Sequence, residues 1–536
     1  MKNVRFVVAI CAALMIAAPA MALDLEISGH YFVEGYNHSN QELKDTDATN
    51  DYLSMEFMAK PVFKINDNIT LTTQFTALQD HVWGKNAFPQ AGNEILPISD
   101  SNGNFITTGE RDDNGFLVTG SPEVDSSNNF DWKAAYMTIK TPIGGFIVGR
   151  YIDTPWGLGL GDSTASHGSN DRHKDRIMWV IPVGDFISGA VYQKNVENDD
   201  NNLVSDQDFT KAYVFSAYKQ KNWSTGLLFA KYTHKDYPSS KNLQTAVRNA
   251  AIAKQTEALT TAGALAAGAD LATALAAGAN AAAPAAAAST AAYETRGSLD
   301  LWVLDPYFKG TFGGLGIEAE LLYGWGDVDQ NGIGTDDLDA EGMGYMFDLS
   351  YDFGPFSLMA GTTFISGDWD LNDDTASPMG YFEPSIDHER GFLLTSDTSG
   401  LETTLGGRVN DPTVNGTGPL GMPMGNLSGG PGTVTGQAGA QMFYVDIGWQ
   451  VMEKLELGLF VVTSKADDVP KTITGNEWDD DHGEEFDFKI KWNIMDNLTF
   501  SGIVAHLSAG DYWKQGDPSR EVEDLTTFYG QLIVEF

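Results

Sequence analysis

Between Arg150 and Arg176 the chain concentrates charges of both signs. Arg150, Asp153, Asp162, Asp171, Arg172, Lys174, Asp175 and Arg176 follow one another, with Trp156, Ser166, His167 and His173 among them. Guanidinium and ammonium groups facing carboxylates across a narrow aqueous passage set up a transverse field. Such a passage sorts solutes by size and by charge at once. These eight residues are the candidate pore constriction. On an open surface the same residues would form solvated ion pairs of little energetic weight.

A second candidate chemistry is metal binding. Asp327-Val328-Asp329-Gln330-Asn331-Gly332 has the alternating oxygen ligands and the glycine that open a calcium loop. The twelfth position is Leu338, where a bidentate glutamate belongs, although Asp336, Asp337 and Asp339 adjoin it. Asp327, Asp329 and Asn331 are therefore the candidate calcium ligands, and no other cofactor is expected. Asp368, Asp370 and Asn372, and the acidic run Asp479, Asp480, Asp481, His482, Glu484 and Glu485, repeat the theme weakly. Catalysis finds no support. No His-Glu-x-x-His pair and no phosphate-cradling loop leading into a helix occurs, so an enzyme is not expected.

The elements that must position these groups are strands. From Leu23 to Phe536, stretches of about ten alternating residues come in pairs, joined by short turns and separated by long polar loops. Leu25, Ile27, Gly29, Tyr31 and Val33 alternate with Glu26, Ser28, His30 and Glu34. Ile317, Ala319, Leu321, Tyr323 and Trp325 alternate with Glu318 and Glu320. Met343 to Tyr351 and Phe486 to Trp492 do the same against Asp348, Asp352, Asp487, Lys489 and Lys491. A continuous apolar face opposite a charged face fits a sheet with lipid on one side and water on the other. The carboxylates Glu318, Glu320, Asp348, Asp352, Asp446, Glu456 and Asp487, with Lys489 and Lys491, are the candidate lumen lining. Turns are expected at Asn66–Asn68, Pro142–Gly144, Pro182–Asp185, Lys221–Asn222, Gly313–Gly314, Gly354–Pro355, Glu453–Lys454 and Asp496–Asn497, where Gly, Pro, Asn and Asp supply the geometry.

The pattern predicts an all-β, transmembrane antiparallel barrel of about 18 strands, since an even number lets the first and last strands close antiparallel. Sixteen strands would require Thr210–Lys219 and Leu299–Lys309 to be misread. Two stretches interrupt the rhythm. Residues 245–292 are alanine-rich and predict a helical insert in an outer loop; the insert either hangs outside or drops into the lumen as a plug. Residues 368–440 are a long outer loop rich in Gly and Pro.

Residues 1–22 read as a secretory signal. Lys2 and Arg5 precede a short apolar run, and Ala20-Met21-Ala22 offers a cleavage site. The sole cysteine, Cys11, lies within it. The net charge of −40 excludes a nucleic-acid partner, which needs the opposite sign.

The signal, the strand-loop alternation across residues 23–536, the Gly149-Arg150-Tyr151 strand end and the terminal Phe536 together resemble the Gram-negative porins. That resemblance implies a homotrimer of water-filled barrels in the outer membrane, surrounded by lipopolysaccharide. It implies that the loop from Ile152 to Asp175 folds into the pore, and that Phe536 is a signal to the outer-membrane assembly machinery. The usual Pro-Glu-Phe constriction motif of the family is missing. The segment from Tyr345 through Ser366-Gly367-Asp368 to Phe382 resembles part of the alginate-export barrels, whose basic lumen passes a polyanion; the lumen candidates here are mostly acidic. The expected function is passive diffusion of small hydrophilic solutes with a cation preference. The alternative is a substrate-specific or polymer-exporting channel.

Overall fold

The computed structural model describes residues 24–39, 49–78, 130–152, 173–196, 208–237, 297–329, 338–367, 439–469, 477–514 and 521–536, with scattered positions in the loops between. The signal segment lies outside the described residues, as do Asp153, Asp162, Asp171, Arg172 and Asn331.

The alternation read from the sequence becomes strand after strand. They are β1 (Asp24–Ser39), β2 (Thr49–Asn66), β3 (Ile69–Ala77), β4 (Phe130–Thr141), β5 (Gly144–Ile152), β6 (His173–Val183), β7 (Phe186–Val196), β8 (Phe209–Lys219), β9 (Trp223–Tyr237), β10 (Gly297–Phe312), β11 (Leu315–Asp329), β12 (Leu338–Phe353) and β13 (Phe356–Ile365), followed by the two-residue β14 (Thr375–Ala376). Then come β15 (Ala440–Met452), β16 (Leu455–Lys465), β17 (Asp481–Met495), β18 (Leu498–Ala509) and β19 (Leu525–Glu535). The fragment β14 pairs parallel with the outer end of β12 and is not part of the wall. The other eighteen strands pair antiparallel in chain order, β13 passing directly to β15. β19 returns to β1, in register from His30↔Glu535 to Ser39↔Thr526. The sheet is a closed 18-stranded barrel. Even the shortest wall strands, β3 and β5, have 9 residues, enough to cross a hydrocarbon core when tilted.

All eight expected turns fall where strands reverse, and all lie at one end of the barrel. Gly184, Gly313 and Gly354 there have φ of 62°, 59° and 67°, a region costly for other residues. The long loops leave from the opposite end. Outward side chains are apolar and exposed: Ile27, Met137, Ile177, Leu227, Phe347, Ile447, Phe488 and Leu532 among many. Such a belt is unsustainable in water and is what lipid requires.

The seam is closed by backbone and by aromatic packing. Phe536 N–H donates to Gly29 O at 3.0 Å, and Gly29 N–H to Phe536 O at 2.9 Å. The Phe536 ring stacks on Phe57 with centroids 6.0 Å apart. A Cβ on Gly29 would sit 2.8 Å from that ring and 2.2 Å from Met58 O, so only glycine fits beneath it. On the inner side, the buried Glu34 carboxyl accepts from Ser54 Oγ at 2.9 Å, Tyr529 Oη at 3.2 Å and Gln531 Nε2 at 3.3 Å. One side chain on β1 thus joins β2 to β19.

Two clusters of buried apolar residues occupy the inside of the barrel. One lies along β4–β13 and includes Leu160; the other lies along β15–β19 with Tyr36 of β1 and includes Phe392, Leu393 and Leu394. Those four residues belong to loops, so loop segments enter the barrel. In the alanine-rich stretch, the described residues Ala264, Leu265, Ala276 and Ala277 are helical.

Candidate functional site

The loop after β5 turns inward. Trp156 packs edge-on against Phe215 of β8 and Tyr307 of β10, at 5.6 and 5.3 Å, and its indole N–H donates to Asp305 O at 3.2 Å. Gly157 follows with φ of 64°, and a Cβ there would meet all three carboxyl atoms of Glu320 at 2.7 Å. The glycine lets the backbone close on that carboxyl, and Leu158 N–H donates to Glu320 Oε2. Leu160 is fully buried against the same wall. A buried N–H needs an acceptor, and Glu320, itself only 3 % exposed, supplies it.

The long loop after β13 enters the barrel in the same manner. Gly391, with φ of 114°, lies where a Cβ would touch Glu485 Oε2 at 2.8 Å. The next three N–H groups all reach wall carboxyls of β17. Phe392 N–H donates to Asp487 Oδ2 at 3.1 Å, Leu393 N–H to Glu485 Oε1 at 2.7 Å and Leu394 N–H to Glu485 Oε2 at 2.9 Å. Successive N–H groups converging after a left-handed residue form a nest for negative charge. The three side chains are buried among Tyr529, Val462 and their neighbours, each contributing about 1.5–3 kcal/mol. The first segment docks on β8–β11 and the second on β16–β19. Among the described residues, loop segments thus enter the lumen from two different parts of the wall.

The described residues marked in the sequence fall into six groups. Arg150 and Asp175 register across β5 and β6 on the outward face and join by two bonds, Nε–Oδ1 2.9 Å and Nη2–Oδ2 2.7 Å, away from the lumen. Lys174 and Arg176 point inward, Arg176 buried with its guanidinium 4.7 Å from the Tyr151 ring centre. Glu320, Asp348 and Asp487 face inward but are buried: Glu320 and Asp487 hold the loops, and Asp348 accepts from Tyr444 Oη at 2.5 Å. Glu318 is paired with Lys309 at 2.6 Å. Asp352, Asp446, Glu456, Lys489 and Lys491 lie on the lumen face toward the short-turn end. Asp327 and Asp329 sit on β11, in register with Asp300 and Ser298 of β10; residues 330–337 of the expected calcium loop lie outside the described residues. Among the described residues no three His, Asp or Glu side chains converge as a metal site.

Glu485 and the segments Gly157–Leu158 and Gly391–Leu394 carry the lumen geometry, and the sequence did not mark them as such. Glu485 shares the inward parity of Asp487 and could have been grouped with it instead of with the acidic run that precedes it. Ser464 Oγ lies 2.9 Å from His482 Nδ1, but the pair is sealed beneath Tyr512 and Trp513 and touches no passage.

No protein-family profile matches the chain, and no curated protein matches it. Solved structures similar to it include Pseudomonas aeruginosa OccK8 (OprE), with 10% identity, 96% of this chain and 98% of that chain covered and a TM-score of 0.47. A BenF-like porin from Pseudomonas fluorescens Pf-5 has 8% identity, coverage of 96% and 99% and a TM-score of 0.46. Acinetobacter baumannii OccAB3 has 7% identity, coverage of 95% and 100% and a TM-score of 0.47.

Proposed function

We propose that the chain is a channel of the bacterial outer membrane that admits small hydrophilic solutes selectively. One observation carries this reading: two loop segments enter the barrel and dock by backbone N–H on buried wall carboxyls, one at Glu320 and one at Glu485 and Asp487. A passage narrowed from two sides sorts solutes by shape as well as size. That supports the substrate-selective alternative over unrestricted diffusion. A closed barrel with an apolar outer belt suits the outer membrane, with the short turns on the periplasmic side and lipopolysaccharide around the loop end. Assembly as a homotrimer through the outer-membrane assembly machinery belongs to the same proposal; chemical crosslinking that yields monomers alone would remove the trimer.

A modest cation preference is part of the reading. The net charge of −40 and the water-facing Asp352, Asp446 and Glu456 support it, while Lys489 and Lys491 oppose it. Burial withdraws Glu320, Asp348 and Asp487 from the permeation path. Purified protein in a planar bilayer is expected to give discrete conductance steps and a reversal potential on the cation side. The preference should fade toward 1 M salt, where the screening length is about 3 Å. An absence of discrete steps would refute the channel reading.

A further inference from the structure

Along β17 from Asp487, toward the short turns, the lumen wall opens into a cleft of about 410 Å³. Its floor is made of glycine. Gly448 of β15 and Gly458 of β16 register with each other, and Gly458 registers with Lys489 of β17. A Cβ on Gly458 would lie 3.4 Å from Lys489 Cβ, an ordinary contact, so the hollow exists because no side chain fills it. Lys489 and Lys491 bound the cleft on β17; Asp446 and Glu456 bound it on β15 and β16.

Elsewhere in the barrel, opposite charges in register close on each other. Lys309 and Glu318 pair at 2.6 Å, and Arg150 and Asp175 at 2.7 Å. Glu456 and Lys491 have the same cross-strand register, yet among the described residues no ion pair joins them. Asp446 and Lys489 also form none, and the Lys489 ammonium rests 4.4 Å from the Phe460 ring centre instead. Four charges, two of each sign, thus line one cavity with no ion pair among them, and the buried Asp487 carboxyl lies within electrostatic reach of Lys489.

We infer that this cleft is a binding subsite for a small zwitterion, an amino-acid-like solute with its carboxylate toward Lys489 and Lys491 and its ammonium toward Asp446 and Glu456. A bare anion meets the two carboxylates and a bare cation meets the two lysines, so only a solute carrying both charges satisfies the whole lining. The volume falls in the range of small-molecule sites. This rests on the selective-channel reading and names its solute class.

The test is calorimetric titration of the full-length protein in detergent with 4-aminobutyrate, and with butyrate and butylamine as single-charge analogues. Detergent calorimetry needs no conducting pore, so its failure is distinct from a failure of the bilayer test of the channel. The zwitterion is expected to bind more tightly than either analogue. Lys489→Gln with Lys491→Gln, and Asp446→Asn with Glu456→Gln, are each expected to weaken it by about tenfold. Gly458→Leu keeps all four charges and fills the hollow, and it should abolish binding while the barrel still migrates as folded on an unheated gel. Equal affinity in wild type and all three variants, or butyrate binding as tightly as 4-aminobutyrate, would overturn the assignment.

Discussion

Glu485→Gln is expected to loosen the segment that narrows the lumen from the β16–β19 side. The two carboxyl oxygens of Glu485 accept from two consecutive backbone groups, Leu393 N–H at 2.7 Å and Leu394 N–H at 2.9 Å. An amide of the same shape keeps one acceptor and turns a donor toward the other N–H. That N–H is then buried without an acceptor, at a cost of about 1–3 kcal/mol. The docked state should lose about 5- to 140-fold in population relative to the released state. Burial of Phe392, Leu393 and Leu394 still favours docking, so the variant should flicker between two conductance levels instead of opening fully. The only native cysteine is Cys11, in the expected leader, so a single Leu394→Cys probe is clean. Its reaction with a water-soluble maleimide should accelerate severalfold in the Glu485→Gln background. Identical labelling rates and identical conductance in the two backgrounds would refute the idea that Glu485 holds the segment.

Glu320→Gln should act in the same way on the loop after β5, and Gly157→Ala more strongly, because alanine at φ of 64° is strained and would meet the Glu320 carboxyl; raised conductance with an unchanged folded band on gels checks this. Gly29→Val should prevent seam closure as effectively as deletion of Phe536, since the added atoms occupy the place of the terminal ring; low outer-membrane abundance with periplasmic fragments is the expected readout, and normal levels would refute it. Replacing residues 245–292 with a short Gly/Ser turn should leave stability and conductance nearly unchanged, because closure entropy changes slowly with loop length; a severalfold rise in conductance would assign that segment to the pore.

Strands, turns and facing were legible in the sequence wherever the wall meets lipid on one side and water on the other. The faces of β11, β12, β17 and β19 follow from parity alone. Alternation fades in β8 and β10, the two stretches whose misreading would have reduced the count to sixteen. There the inward residues Phe209, Tyr213, Leu299, Leu301 and Val303 are apolar too, because they lie in the cluster that Leu160 joins. The same blurring hides the outward direction of Arg150: its neighbour Ile147 packs inward although apolar, so β5 has no polar face to set the parity. Which inward carboxyls meet water was not legible either. Glu320 and Asp487 look like Asp446 and Glu456 in sequence. What separates them is contact with Leu158 and Phe392, which lie 162 and 95 residues away.

The clasp around Glu34 bears on the order in which the barrel is built. Sixteen of the wall strands form eight hairpins whose partners are joined by turns of a few residues, so these form early and locally. The clasp is different: its donors are Ser54, 20 residues from Glu34, and Tyr529 and Gln531, 495 and 497 residues away. Until β19 arrives, β1 presents an unpaired edge, and Glu34 has Ser54 but neither Tyr529 nor Gln531. The seam needs both ends of the chain at once, so a chain cut short before Leu525 is expected to retain its hairpins yet remain an open, edge-exposed sheet that proteases can distinguish from the sealed product.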